Sequence, residues 1–165
     1  MSQVTFQGNP VKVVGGIPVV GEQAPEFSLT ASDLSDLTLS SFKGQNVIIN
    51  IFPSIDTPVC SASVKRFNEE ASKLENTVVL CVSADLPFAV GRFCEVENIS
   101  NVQHASIFRS FDFSENYGVS ITEGALRGLT TRAIVCVSTD GKVTYSELVK
   151  EITDEPNYSL ALNAF

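Results

Sequence analysis

Cys60 ends a segment whose residue types suit thiol chemistry: Phe52-Pro53-Ser54-Ile55-Asp56-Thr57-Pro58-Val59-Cys60. It joins a β-branched run, Val47-Ile48-Ile49-Asn50-Ile51-Phe52, to a stretch with helical spacing over residues 58–75. Thr57 is a favoured residue for the cap position before a helix, and Pro58 fits the first helical position because it has no N–H to leave unpaired. Cys60 then falls in the first turn, near unpaired backbone N–H groups and the positive end of the helix dipole, both of which favour thiolate. Full ionisation of an ordinary cysteine gains only roughly 30-fold in reactive form at neutral pH, and intrinsic nucleophilicity falls as the pKa falls. A specialised site must therefore also polarise the bond being broken, through fixed donors. Thr57 can supply a hydroxyl, and Arg132, at the start of an otherwise apolar run, is a candidate cation.

The other reactive side chains point elsewhere. Cys60, Cys81, Cys94 and Cys136 form no CxxC, and His104 is the only histidine, so neither a Cys/His zinc site nor a metal or organic cofactor is expected. Cys81 and Cys136 lie inside apolar runs and read as inert core. His104 reads as an ordinary residue near a strand.

The elements that must hold these groups follow from periodicity. Val4 to Val14 reads as a hairpin around a Gly-Asn-Pro turn, and Phe27–Thr30 and Leu37–Leu39 as short strands flanking a polar turn. The runs at 47–52 and 78–83 are continuous enough for strands buried on both faces. Between them Cys60, Val64, Phe67, Ala71 and Leu74 form one stripe, so strand, helix and strand make a right-handed parallel crossover. A second helix starts after Asp85, a short one spans about 111–117, and Arg132–Val137 and Val143–Tyr145 form a hairpin before a weakly helical tail. This order predicts an α/β, thioredoxin-like fold, with a central mixed sheet flanked by helices and an N-terminal β-hairpin extension over residues 1–17 of a single domain, 1–165.

At 165 residues, one domain with a sizeable core is expected. The net charge of −8 argues against a nucleic-acid partner, and no apolar run is long enough for a membrane helix. The first 20 residues lack a basic start followed by an apolar block, which predicts a reducing, cytoplasmic setting.

Pro53, Thr57 and Cys60 match the PxxxTxxC pattern of peroxiredoxins, and Gly21, Ala24-Pro25 and Phe27 match a segment common upstream in that superfamily. Asn50 to Cys60, Val82 to Ala89 and Arg92-Phe93-Cys94 resemble the thiol peroxidase subfamily of bacterial peroxiredoxins, of the atypical two-cysteine kind. The resemblance implies a peroxidase acting on hydrogen peroxide and alkyl hydroperoxides. Cys60 would attack the peroxide and become a sulfenic acid. Thr57 would hydrogen-bond thiolate and substrate, Pro53 would shield the sulfur, and Arg132 would polarise the O–O bond. Cys94 would resolve the sulfenic acid as a Cys60–Cys94 disulfide, thioredoxin would reduce it, and the protein would be a homodimer. A peroxide-sensing switch that passes oxidation to a protein partner is the alternative.

The spacing adds one expectation. Cys94 lies nine residues beyond Asp85, so it stands roughly 12 Å down its helix, whereas a disulfide needs Cα atoms within about 7 Å. Bond formation would then require local unwinding around Cys60, Cys94 or both.

Overall fold

The computed structural model describes residues 2–165. Ten strands and four α-helices are present among them: β1 Ser2–Phe6, β2 Asn9–Val14, β3 Ser28–Ala31, β4 Asp36–Thr38, β5 Asn46–Ile51, α1 Pro58–Ala71, β6 Thr77–Ser83, α2 Pro87–Glu97, β7 Gln103–Ser106, α3 Phe111–Asn116, β8 Ser120–Ile121, β9 Ala133–Val137, β10 Val143–Leu148 and α4 Tyr158–Leu162. Seven strands form the central sheet in the order β10-β9-β5-β6-β7-β3-β4. Its middle is the parallel trio β5, β6 and β7, with β9 antiparallel to β5 on one side and β3 antiparallel to β7 on the other.

Alternation along β5 divides the core in two. Val47, Ile49 and Ile51 face one side with Phe27, Phe113 and Tyr117, whereas Ile48 and Phe52 face the other with Val64 and Phe67 of α1 and Val90 of α2. Both faces are covered, so β5 is apolar almost throughout, with Asn50 as the buried exception. Asn50 stays in place by donating to Ser63 Oγ on α1, at 3.3 Å, and Ser63 in turn donates to the Cys60 carbonyl at 2.8 Å.

A second, three-stranded sheet, β1-β2-β8, holds the N-terminal hairpin. Val4, Val11 and Val13 bury against Ile121 and Ile152. The hairpin is stitched to the segment after β10, where Thr5 N–H donates to the Lys150 carbonyl and Ile152 N–H to the Thr5 carbonyl, both at 2.8 Å. Glu151 adds to this junction by accepting from the Gly8 N–H at 2.8 Å and from the Thr153 N–H at 2.9 Å.

Three local expectations are corrected. The hairpin turns at Gln7-Gly8, both with positive φ (52° and 82°), and Asn9-Pro10 already belong to β2. Paired positive φ values match the right-handed twist of the flanking strands, which a Gly-Asn-Pro turn would not. Helix α1 ends at Ala71 and does not run on to residue 75, because the chain tightens into i→i+3 bonds at Lys73 and Leu74 and then turns at Asn76, φ 48°. Leu39 opens a 3₁₀ turn, Leu39–Phe42, instead of ending a strand; Thr38 and Ser41 cap it reciprocally.

Candidate active site

Cys60 occupies the third position of α1, with Thr57 as the extended residue before the helix and Pro58 at its first position. The Thr57 hydroxyl does not cap the helix; it donates to the Ser54 carbonyl at 3.0 Å. The first N–H groups of α1 are therefore left without the usual side-chain acceptor, beside the cysteine. That hydroxyl keeps its oxygen lone pairs for another donor, and it makes no bond to the Cys60 sulfur.

Arg132 immediately precedes β9 and is 2% exposed, so its cation is inside the protein. Its Nη2 donates to Cys60 Sγ at 3.1 Å and its Nε to the Ile152 carbonyl at 2.9 Å. Nη1 is also buried and has no partner among the described residues. A guanidinium so deeply placed is costly unless its donors are used. Here one donor fixes its orientation, one touches the sulfur and one is left over. The Ile152 carbonyl is positioned by the same strand-like contacts that tie down the N-terminal hairpin, so the hairpin reaches the site through residues 149–152.

A cavity of about 250 Å³ opens beside this pair, lined by Phe6, Pro53, Thr57, Leu126, Leu129 and Arg132 among others. Its wall is mostly apolar, with Arg132 and Thr57 as its principal polar groups next to the cysteine. Cys60 has no exposed surface of its own; it lies directly behind the residues that line the cavity. Thus Pro53, Thr57, Cys60 and Arg132 are brought together.

Cys94 is not bonded to Cys60; both are free thiols. Cys94 lies in the last turn of α2, partly buried at the margin of the apolar cluster that contains Cys60. Its carbonyl accepts the Asn98 and Ile99 N–H bonds that close the helix, with Asn98 left-handed at φ 55°. Burial pushes its thiol above the ordinary cysteine value. Cys81 and Cys136 are fully buried in β6 and β9, and desolvation pushes both thiols up to about 12, which keeps them protonated.

Two residues play larger parts than their local sequence suggests. Asp85, expected only to precede a helix, accepts from Ser54 Oγ at 2.8 Å, the Ile55 N–H at 2.7 Å and Ser83 Oγ at 2.7 Å. It thereby clamps the loop that carries Pro53 and Thr57 to the loop before α2. An Asp in the register Val82-Ser83-Ala84-Asp85, at the carboxyl end of a buried strand, is the signal that could have marked it. The second is His104, whose Nε2 lies 3.1 Å from Cys94 Sγ. Nothing in its local sequence pairs it with a cysteine ten residues away on another element.

Comparison with known proteins agrees with this chemistry. The Redoxin family model matches residues 19–162. The chain is 52% identical over 159 residues to a protein of Vibrio cholerae named thiol peroxidase, covering 96% of this chain and 97% of that one. It is 51% identical over 164 residues to a thiol peroxidase of Mycobacterium bovis, covering 99% and 98%. Among solved structures, a peroxiredoxin-like protein from Aquifex aeolicus superposes with a TM-score of 0.93 at 45% identity, covering 99% of this chain and 95% of that one. A thiol peroxidase from Chromobacterium violaceum shares the fold, with a TM-score of 0.90 at 24% identity over 96% and 92% of the two chains. With a buried cysteine–arginine pair at a helix N-terminus on a thioredoxin-like sheet, the chain belongs to the redoxin family and is a thiol-dependent peroxidase of the peroxiredoxin type.

Proposed function

We propose that Cys60 is the peroxide-reducing nucleophile, that Cys94 resolves its oxidised form as an intramolecular disulfide, and that thioredoxin reduces that disulfide. The observation that carries this reading is the 3.1 Å contact between Arg132 Nη2 and Cys60 Sγ, beside an apolar cavity. The guanidinium stabilises negative charge on the sulfur. Its unpartnered Nη1 is the donor available to a peroxide oxygen as the O–O bond polarises. The thiolate attacks the terminal oxygen, the O–O bond breaks, and the departing alkoxide or hydroxide takes up a proton, leaving Cys60 as a sulfenic acid. Thr57, its hydrogen already given to Ser54, accepts from the peroxide hydroxyl, and Pro53 shuts water out. Because Cys60 has no exposed surface, the peroxide enters by a small displacement of the residues between cavity and sulfur.

Cys94 then attacks the Cys60 sulfur, forming the disulfide and releasing water. Its place in the closing turn of α2 means that only a terminal turn has to unwind, and the first turn of α1 can yield to meet it. The apolar cavity wall suits organic hydroperoxides as well as hydrogen peroxide. A homodimer working in a reducing cytoplasm completes the reading, and exposed Phe88 and Phe111 offer apolar surface to a second copy.

The test is oxidation of NADPH coupled through thioredoxin reductase and thioredoxin, with hydrogen peroxide and with cumene hydroperoxide. Wild type should turn over with both, Cys60→Ser with neither, and Cys94→Ser should stop after its first turnover. Activity surviving Cys60→Ser would contradict the assignment.

A further inference from the structure

Under the mechanism proposed above, Cys94 leaves the last turn of α2 to meet Cys60, so the contacts that hold this turn closed govern when resolution can begin. Two kinds of contact hold it. The Cys94 carbonyl accepts the Asn98 and Ile99 N–H bonds, and the Cys94 sulfur lies 3.1 Å from His104 Nε2. The second contact joins two elements. His104 is on β7, which pairs with β6 on one side and β3 on the other, and it is only 8% exposed. The sheet therefore fixes the imidazole, and the helix end is the part that must move. Burial brings the imidazole down to about 4, against the opposing pull of Asp85, and pushes the thiol up. Near neutral pH the ring is thus uncharged and the sulfur keeps its hydrogen. A neutral ring nitrogen that accepts and a thiol that donates form a hydrogen bond in which no proton is transferred.

We propose that His104 is a positioning residue for the resolving cysteine: its Nε2 accepts the Cys94 S–H and latches the end of α2 shut in the reduced protein. The latch opposes resolution. It breaks before the two sulfurs meet, and it thereby lengthens the life of the Cys60 sulfenic acid. It also depends on redox state, because a disulfide sulfur carries no hydrogen to donate. Once Cys94 is bonded to Cys60 the contact cannot re-form; reduction returns the hydrogen and lets α2 close. The consequence for resolution rests on the roles given above to Cys60 and Cys94. The latch itself belongs to the reduced protein and is read without peroxide.

Hydrogen exchange of the reduced, full-length protein reads the latch at the Asn98 and Ile99 amides, which are bonded to the Cys94 carbonyl. His104→Leu removes the acceptor, and Cys94→Val removes the donor at matched helix propensity. Each should speed exchange at both amides by about 2- to 10-fold, the worth of one hydrogen bond. The double variant should be no faster than either single one, since the same bond is lost in each. His104→Gln, which keeps an acceptor, should exchange more slowly than His104→Leu. Rapid mixing with one equivalent of hydrogen peroxide, quenching and mass spectrometry then follow the two half-reactions. His104→Leu should oxidise Cys60 at the wild-type rate and form the Cys60–Cys94 disulfide about 2- to 10-fold faster, with less sulfinic acid at Cys60 when peroxide is in excess. Unchanged exchange in either single variant, factors that multiply in the double variant, or exchange as fast in His104→Gln as in His104→Leu would overturn the latch. So would resolution that is unchanged or slower in His104→Leu. A wild type that forms no Cys60–Cys94 disulfide would instead remove the peroxidase reading, while the exchange rates would still decide whether the latch exists.

Discussion

Under the proposed mechanism Arg132 solves a problem that a cysteine at a helix N-terminus cannot solve alone: the helix end favours negative charge, but a fixed donor is also needed for the bond that breaks. Its three nitrogens divide the work, with Nε anchored on the Ile152 carbonyl, Nη2 on the sulfur and Nη1 unspent. Arg132→Met keeps the bulk of the stem and removes all three donors. Its rate of Cys60 oxidation by hydrogen peroxide in a stopped-flow experiment should fall by about 100- to 1,000-fold, with circular dichroism unchanged. Much at this scale was legible beforehand. Pro53, Thr57 and Cys60 stand close together in the chain, and a Thr-Pro pair before a helix has local physical meaning. Arg132 could be singled out only as a cation opening an apolar run, because its burial depends on β9 pairing with β5. His104 was not legible, since its partner is reached across two elements by tertiary packing.

The elements matter through what they hold still. The loop between β5 and α1 carries Pro53 and Thr57, and Asp85 holds it by accepting from Ser54 and the Ile55 N–H. Asp85→Asn replaces one acceptor oxygen with an NH₂ group facing existing donors. It should cost about 1–3 kcal/mol in urea unfolding and slow Cys60 oxidation by about 10- to 100-fold, as a displaced loop misplaces Thr57. The N-terminal hairpin acts at longer range, through Glu151. The Thr153 and Gly8 N–H groups hold the Glu151 carboxyl at about 2, below its ordinary 4.5. A carboxyl lowered on folding adds stability that is fully present above 4.5 and is lost as pH falls toward 2. Wild type should therefore lose more urea stability than Glu151→Gln between pH 6 and pH 3; equal losses would show that the junction carries no such linkage. The middle of the central sheet was readable because β5 and β6 are continuous apolar runs and α1 between them carries one helical stripe. The expected turn, Gly8-Asn9-Pro10, shares only Gly8 with the observed one, Gln7-Gly8, because Gln7, with φ 52°, carries no sequence mark of a left-handed conformation. The short strands β7 and β8 went unread because neither is long enough to show a period.

For the molecule as a whole, the arrangement separates two chemistries. Under the proposed mechanism peroxide is met at the buried Cys60–Arg132 pair, while the resolving thiol belongs to the Cys94–His104 pair, in the closing turn of the neighbouring helix. Both pairs lie on the same face of the central sheet, in or beside one apolar cluster. His104 on β7 and Arg132 beside β9 are thus held by the sheet, while the two thiols ride on helix ends. Oxidation would therefore change conformation together with redox state. The most direct measurement treats Cys94→Ser protein with one equivalent of cumene hydroperoxide in the presence of dimedone and maps the adduct by mass spectrometry. A single dimedone adduct on Cys60, formed in proportion to peroxide consumed, is the expected result. Peroxide consumed with no adduct on Cys60, or with the adduct on Cys81 or Cys136, would contradict the assignment of Cys60 as the nucleophile.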